Sequence, residues 1–135
     1  MNLFTDSSAW VAFYDDQDKY HAQARLAFQG LAKQAIVFVV TEYIVAETAT
    51  LLLYRAGHAR AVRFGDWALR SPNVRLIRLD IELWDKAWRL FKMYDDKDFS
   101  FIDCASFAVM RHERLSDAFT FDHHFEQAGF RLWPR

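Results

Sequence analysis

Cysteine is almost absent from this chain of 135 residues: Cys104 stands alone. That excludes an internal disulfide and agrees with a reducing cytosol. Glycine and proline are scarce, four and two respectively, so long linkers and disordered tracts are not expected. Neither sign of charge is in excess, since 17 Lys and Arg against 18 Asp and Glu leave a net charge of −1. The domain as a whole therefore has no field to gather nucleic acid, and any such contact needs a local basic patch. No apolar run approaches the roughly 20 residues that cross a bilayer. The N-terminus has no basic start, apolar stretch and small-residue cleavage site of the kind a signal peptide needs. These absences predict a soluble cytoplasmic protein, one domain over residues 1–135, with no membrane association.

What is abundant is apolar surface. Apolar residues are 53% of the chain and aromatic residues 17%, with thirteen Phe and five Trp. The length suffices for a real core, and this aromatic content exceeds what one small core needs, so part of it is expected to meet another protein.

The pattern along the chain alternates strand and helix. Asn2 to Thr5 reads as a short buried strand ending at Asp6, and Ser7 or Ser8 can cap a helix through Tyr14. Asp15 to Asp18 is a polar turn, with Asp18 available to cap a helix bearing Tyr20, Ala24, Ala27, Phe28 and Leu31 at helical spacing. Ile36 to Val40 is an unbroken β-branched and aromatic run, the mark of a strand covered on both faces. Thr41 starts a helix to about Arg55, Gly57 breaks it, and a basic helix follows from about His58 to Arg70. Val74, Leu76, Ile77 and Leu79 suggest a third strand. Asp80 begins a long helix with the stripe Leu83, Trp84, Ala87, Trp88, Leu90 and Phe91. Ser100 can cap a helix from Phe101 to about Arg114. Ala118 to Phe121 reads as a strand, Asp122 to Gln127 as a short helix stopped by Gly129, and Phe130 to Leu132 as a last edge strand. Such alternation implies a parallel sheet with right-handed crossovers, and sites beyond the carboxyl ends of its strands.

Four acids stand at junctions of this pattern. Asp6 and Asp122 follow strands, Glu47 lies within two turns of one, and Asp103 opens a helix. Three also have ordinary explanations as helix caps, and Ser100-Phe101-Ile102-Asp103 resembles a capping box. Glu47 is harder to place. It aligns with Ile44, Leu51 and Tyr54 on the apolar stripe, where a carboxylate needs a cation or hydrogen bonds. Glu42 sits in the first helical turn, where the macrodipole favours an acid with no further role. Four converging carboxylates repel one another and take up protons, and a hard divalent cation such as Mg²⁺ or Mn²⁺ reverses this. One or two such ions polarise a phosphodiester and activate water, so metal-dependent phosphodiester hydrolysis is the leading expectation.

The segments Thr5-Asp6-Ser7-Ser8, Val45-Ala46-Glu47-Thr48, Ser100 to Phe107 and Thr120 to Phe125, in that order and spacing, resemble PIN-domain proteins of the VapC-type toxin group. The resemblance implies an α/β fold, a three-layer α/β/α sandwich around a central parallel sheet. It also implies a Mg²⁺- or Mn²⁺-dependent endoribonuclease acting on structured RNA, tRNA or rRNA. Asp6, Glu47, Asp103 and Asp122 correspond to the family's acidic quartet, and Thr120 to a hydroxyl residue beside the last acid. A cognate antitoxin and a homodimer are the partners it implies. A PIN nuclease of RNA maturation, or a silent RNA- or protein-binding PIN module, are the alternatives.

Several other groups are weighed beside the quartet. Arg55, Arg60 and Arg63 are candidates for the local phosphate-binding patch. The five histidines lack paired zinc-ligand spacing, and His123 and His124 are expected in an exposed first turn. Cys104 is expected to pack as a small apolar residue. Trp84, Trp88 and Phe91 are expected mainly in the core. A haloacid-type phosphatase is disfavoured because Ser8, not Asp, stands two residues after Asp6.

Overall fold

The structure is a computed structural model and describes residues 1–134. Among these residues the elements run β1 (Asn2–Thr5), α1 (Ser7–Tyr14), α2 (His21–Leu31), β2 (Val37–Thr41), α3 (Glu42–Ala56), α4 (His58–Arg70), β3 (Val74–Ile77), α5 (Ile81–Met93), α6 (Phe101–His112), β4 (Asp117–Phe119), α7 (His124–Gln127) and β5 (Arg131–Trp133). Every strand pairing is parallel, and the order across the sheet is β3-β2-β1-β4-β5.

Register fixes which side chains share a face. Leu3 pairs with Phe38 and Thr5 with Phe119, so these four lie on one face, while Phe4, Val39 and Ala118 lie on the other. On the first face Phe38 meets Trp10 of α1, Phe28 of α2 and Trp67 of α4. On the second, Phe4 meets Phe125 of α7, which meets Phe107 of α6, and α5 packs on α6. The result is the expected three-layer α/β/α sandwich. Each fully buried Phe or Leu in it contributes roughly 1.5–3 kcal/mol over the exposed state.

Most boundaries follow from local chemistry. Thr41 Oγ1 accepts the Ile44 N–H at 3.1 Å and opens α3. Gly57 ends it at φ 98° and ψ 162°, a conformation that suits only glycine. The third strand stops at Ile77 rather than Leu79, because the Leu79 N–H turns to the Glu42 carboxylate at 3.0 and 3.1 Å. Glu42 thus has a structural partner. Asp18 is not the cap of α2, which begins at His21; it forms a turn by accepting the Tyr20 N–H at 2.8 Å. The fourth strand and the last helix are both shorter than expected, and residues 120–123 form the loop between them.

The aromatic stripe of α5 departs further from expectation. Leu83 and Ala87 take the core face, while Trp84, Trp88 and Phe91 remain 39%, 43% and 39% exposed. The three pack along an outer flank with Phe101. Helical periodicity marks a face as apolar, but it does not supply a neighbour to cover that face.

One consequence of the topology positions the site. The chain builds outward from β1 through β2 and β3, then returns to build β4 and β5 on the other side. The carboxyl ends of β1 and β4 are therefore adjacent at the point where strand order reverses, the position where α/β sheets open a crevice.

Candidate active site

Asp6 leaves β1 directly into this crevice and is 4% exposed. It holds the N-cap position of α1, yet its side chain caps nothing. Its Oδ2 instead accepts the hydroxyls of Ser8 at 2.9 Å and Thr120 at 3.0 Å. Those hydroxyls accept backbone N–H groups in turn: Phe121 donates to Ser8 and Asp122 to Thr120, at 3.0 and 2.9 Å. Each hydroxyl is thus oriented by a backbone donor towards one carboxylate oxygen. Ser7 bridges onward, with its hydroxyl 3.2 Å from Glu47 Oε2 and 3.5 Å from Asp6 Oδ1. The two serines expected to cap α1 are therefore turned into the crevice, and the helix start is met by the Asp6 carbonyl, which accepts from Ala9 and Trp10.

Glu47 comes from the second turn of α3 and is partly buried. The buried face of α3 is Ile44, Thr48 and Leu52, whereas Tyr54 is 81% exposed. Glu47 accordingly flanks the apolar stripe rather than occupying its centre. Asp103 serves its helix and also reaches the crevice. Ser100 and Asp103 form a full capping box, at 3.0 Å in each direction, and the same carboxylate lines the crevice. Asp122 lies in the loop after β4, where its Oδ1 accepts the His124 N–H at 2.9 Å.

His124 is the participant that spacing along the chain does not reveal. Its Nδ1 lies 3.0 Å from Asp103 Oδ2 and 3.4 Å from Asp122 Oδ2. Ionised carboxylates only accept, so Nδ1 carries the hydrogen in this arrangement. Its place two residues after Asp122 was the available signal, but Asp103 lies 21 positions earlier and their contact is tertiary. His123 is exposed, as expected.

Burial dominates the electrostatics. Asp6 is pushed up to about 6, chiefly by burial, against the pull of the Ser8 and Thr120 hydrogen bonds. Glu47 and Asp103 are also raised, again mainly by burial, with Asp103 and Asp122 adding repulsion to Glu47. Cys104, one residue along, is fully buried and its thiol is pushed up to about 11, which fits a small packing residue.

All four acids line one cleft of about 620 Å³, with Lys19 and Arg55 on its wall. Arg55 also lies 3.8 Å from Asp18. Arg60 instead reaches Tyr14 O and Asp16 on the neighbouring surface, and Arg63 is exposed on α4, outside the cleft wall. The donor set suits a divalent cation: carboxylate oxygens dominate, and repulsion among them is what a bound cation relieves. Asp103, Asp122 and His124 already hold ligand atoms within 4.8 Å of one another.

Comparison with known proteins gives the family. The PIN domain family model matches residues 3–131. The 23S rRNA-specific endonuclease VapC20 of Mycobacterium tuberculosis is 34% identical over 128 residues, 95% of each chain. The crystal structure of M. tuberculosis VapC20, a sarcin–ricin-loop-cleaving toxin, matches with a TM-score of 0.86, also over 95% of each chain.

Proposed function

This chain belongs to the PIN-domain family, and from that premise we propose that it is a divalent-cation-dependent endoribonuclease, the toxin of a toxin–antitoxin pair, that hydrolyses phosphodiester bonds in structured RNA. One observation carries this reading. Four distant segments each bring an acid to one cleft, and three of those acids are held above their ordinary pKa. A purely structural role would not maintain such a cluster beside a hydroxyl network built to orient it.

In this reading Asp6, Glu47, Asp103 and Asp122 hold Mg²⁺ or Mn²⁺. When bound, such an ion supplies Lewis-acid polarisation of the phosphodiester and the activation of water. The chain's own residues position and neutralise. Ser8 and Thr120 fix the Asp6 carboxylate, and Ser7 ties Asp6 to Glu47. His124 spans Asp103 and Asp122 and limits their repulsion. Lys19 and Arg55 supply positive charge on the cleft wall, where an RNA phosphate would approach the acids. Arg60 and Arg63 lie outside the cleft wall and face RNA beyond it.

The named target of VapC20 selects the first substrate to try. A hairpin carrying the sarcin–ricin loop of 23S rRNA is incubated with the purified protein and Mg²⁺ or Mn²⁺. A discrete cut that EDTA abolishes is expected. Cutting that survives EDTA, or an Asp6→Asn variant at the wild-type rate, would overturn the assignment.

The outer flank of Trp84, Trp88 and Phe91 supports a protein-binding surface, for a second copy of the chain or for an antitoxin. Among the described residues no helix is long and apolar enough to cross a membrane, and we place the protein in the cytoplasm. A role in RNA maturation uses the same chemistry. Co-purification of a small partner encoded beside this chain, with loss of cutting in the complex, separates the toxin from it.

A further inference from the structure

A second cleft, also of about 620 Å³, adjoins the acid cleft. The partition between them is lined by Tyr20, Phe121 and His123, and the Tyr20 and Phe121 rings stack with centroids 4.6 Å apart and planes within 2°. The two clefts differ in chemistry. The first has the acids with Lys19 and Arg55, whereas the second has no Asp, Glu, Lys or Arg among its described lining residues. Its lining includes the amides of Gln23 and Gln34 and the half-buried Trp133.

We infer that this second cleft receives the base of a nucleotide adjoining the scissile phosphate, unstacked from its neighbours and packed against the Tyr20–Phe121 pair. The inference rests on the nuclease reading above and adds the positioning of substrate to it. A phosphate belongs where charge is, and a neutral, polarisable base belongs where rings and amides are. The partition lets both lie on adjacent units of one strand. It is also tied to the acids. The Phe121 N–H is held by Ser8, which bonds Asp6, and the Tyr20 N–H is held by Asp18, which lies against Arg55. A base seated on these rings is thereby set at a fixed offset from the acidic quartet. Gln23 and Gln34, both exposed side chains, offer a donor and an acceptor each to the base's edge.

The test uses the sarcin–ricin-loop hairpin, intact or with a single abasic site at each position flanking the cut, against the wild type and the variants Phe121→Leu and Gln23→Ala. For the wild type, one abasic position is expected to lower kcat/KM by about tenfold to a hundredfold, the range that stacking on one aromatic platform commands. Phe121→Leu should lose a similar factor on the intact hairpin yet show almost no further loss on the abasic one. Gln23→Ala, whose side chain is exposed and whose fold is safe, should lose a smaller factor on the intact hairpin alone. Equal cutting of intact and abasic hairpins by the wild type overturns the inference, as does an equal loss on both hairpins in Phe121→Leu. A wild type that cuts no RNA with either cation sinks the nuclease reading instead. The platform is then judged by hairpin binding in the same comparison: base-dependent binding lost in Phe121→Leu supports it, and base-independent or absent binding overturns it.

Discussion

Two helices of this protein begin after an aspartate in extended backbone, α1 after Asp6 at φ −81° and ψ 160°, and α5 after Asp80 at φ −75° and ψ 177°. Asp80 does what that position favours, and its Oδ1 accepts the Leu83 N–H at 2.9 Å. Asp6 has the same residue type and nearly the same dihedrals but its side chain caps no backbone N–H of its helix. Its partner Thr120 lies 114 positions away. At the start of α5 the carboxylate is exposed and satisfied locally. At the start of α1 it is buried, raised in pKa and held by the hydroxyls of Ser8 on α1 and Thr120 in the loop after β4. The difference separates an acid that serves its helix from an acid that the fold holds in the cleft. Asp103 lies between these cases, with its Oδ2 accepting both the Ser100 N–H of the capping box and the hydrogen of His124.

The comparison breaks most sharply at Asp6 itself. Asp6→Asn keeps the shape and most hydrogen-bonding capacity but removes the charge. RNA cleavage should fall by more than the roughly 10- to 100-fold that residues supporting a metal site command. The protein should nonetheless stay folded, and a melting curve together with single-turnover cleavage reads both properties. A variant that unfolds would instead mark Asp6 as structural, like Asp80.

The pH dependence gives the next largest effect. A carboxyl raised from 3.8 to about 6 by folding makes the native state bind more protons than the unfolded chain between those values. Without a cation, the contribution of Asp6 to stability is unpenalised below pH 4. It worsens as pH rises through 6, reaching roughly 3 kcal/mol at most. Metal-free Asp6→Asn should therefore melt higher than the wild type at pH 7.5 and close to it at pH 4. Mn²⁺ at 100 times its dissociation constant should restore about 2.7 kcal/mol to the wild type at pH 7.5 and much less to the variant. A wild type that melts higher than Asp6→Asn without metal at pH 7.5 would contradict the buried, unfavourable charge.

Thr120 sharpens the contrast at smaller scale. Thr120→Val preserves shape at a site that is 2% exposed but removes the hydroxyl that holds Asp6 and accepts from Asp122. A loss of about 10- to 100-fold in cation affinity or cleavage is expected for such a supporting group. Titration of the cation against cleavage rate separates the two. Unchanged affinity and rate would reduce Thr120 to a packing residue.

How much of this was legible in the sequence depends on the range of the interaction concerned. The strand Ile36 to Val40, the break at Gly57 and the capping box at Ser100 are written in a few adjacent residues, and each stands where it was read to within one position. The convergence of the four acids was legible because strand–helix alternation brings strand ends to one edge. Four features were not. Trp84, Trp88 and Phe91 share a period with buried residues, and only the packed helices show that nothing covers them. Glu47 aligns with Tyr54 by spacing, although Tyr54 projects into solvent. His124 and the Tyr20–Phe121 stack are contacts between segments remote in sequence, which no local pattern encodes.

The smallest predicted effect closes the comparison from the other side. Asp80→Ala removes one cap from an exposed helix start, leaving the Leu83 N–H to water, and should cost about 1 kcal/mol of stability. Because Asp80 and Leu83 are absent from the cleft wall, cleavage at a temperature where the variant remains folded should match the wild type. Urea melts and cleavage rates measured on one preparation read both properties. Together with Asp6→Asn this makes a crossed pair: one aspartate whose loss weakens the fold and spares the chemistry, and one whose loss relieves the metal-free fold and abolishes it. If Asp80→Ala also reduced cleavage, α5 would be coupled to the acid cleft through α6, where Asp103 stands. The separation of the two helix starts into structural and functional acids would then fail.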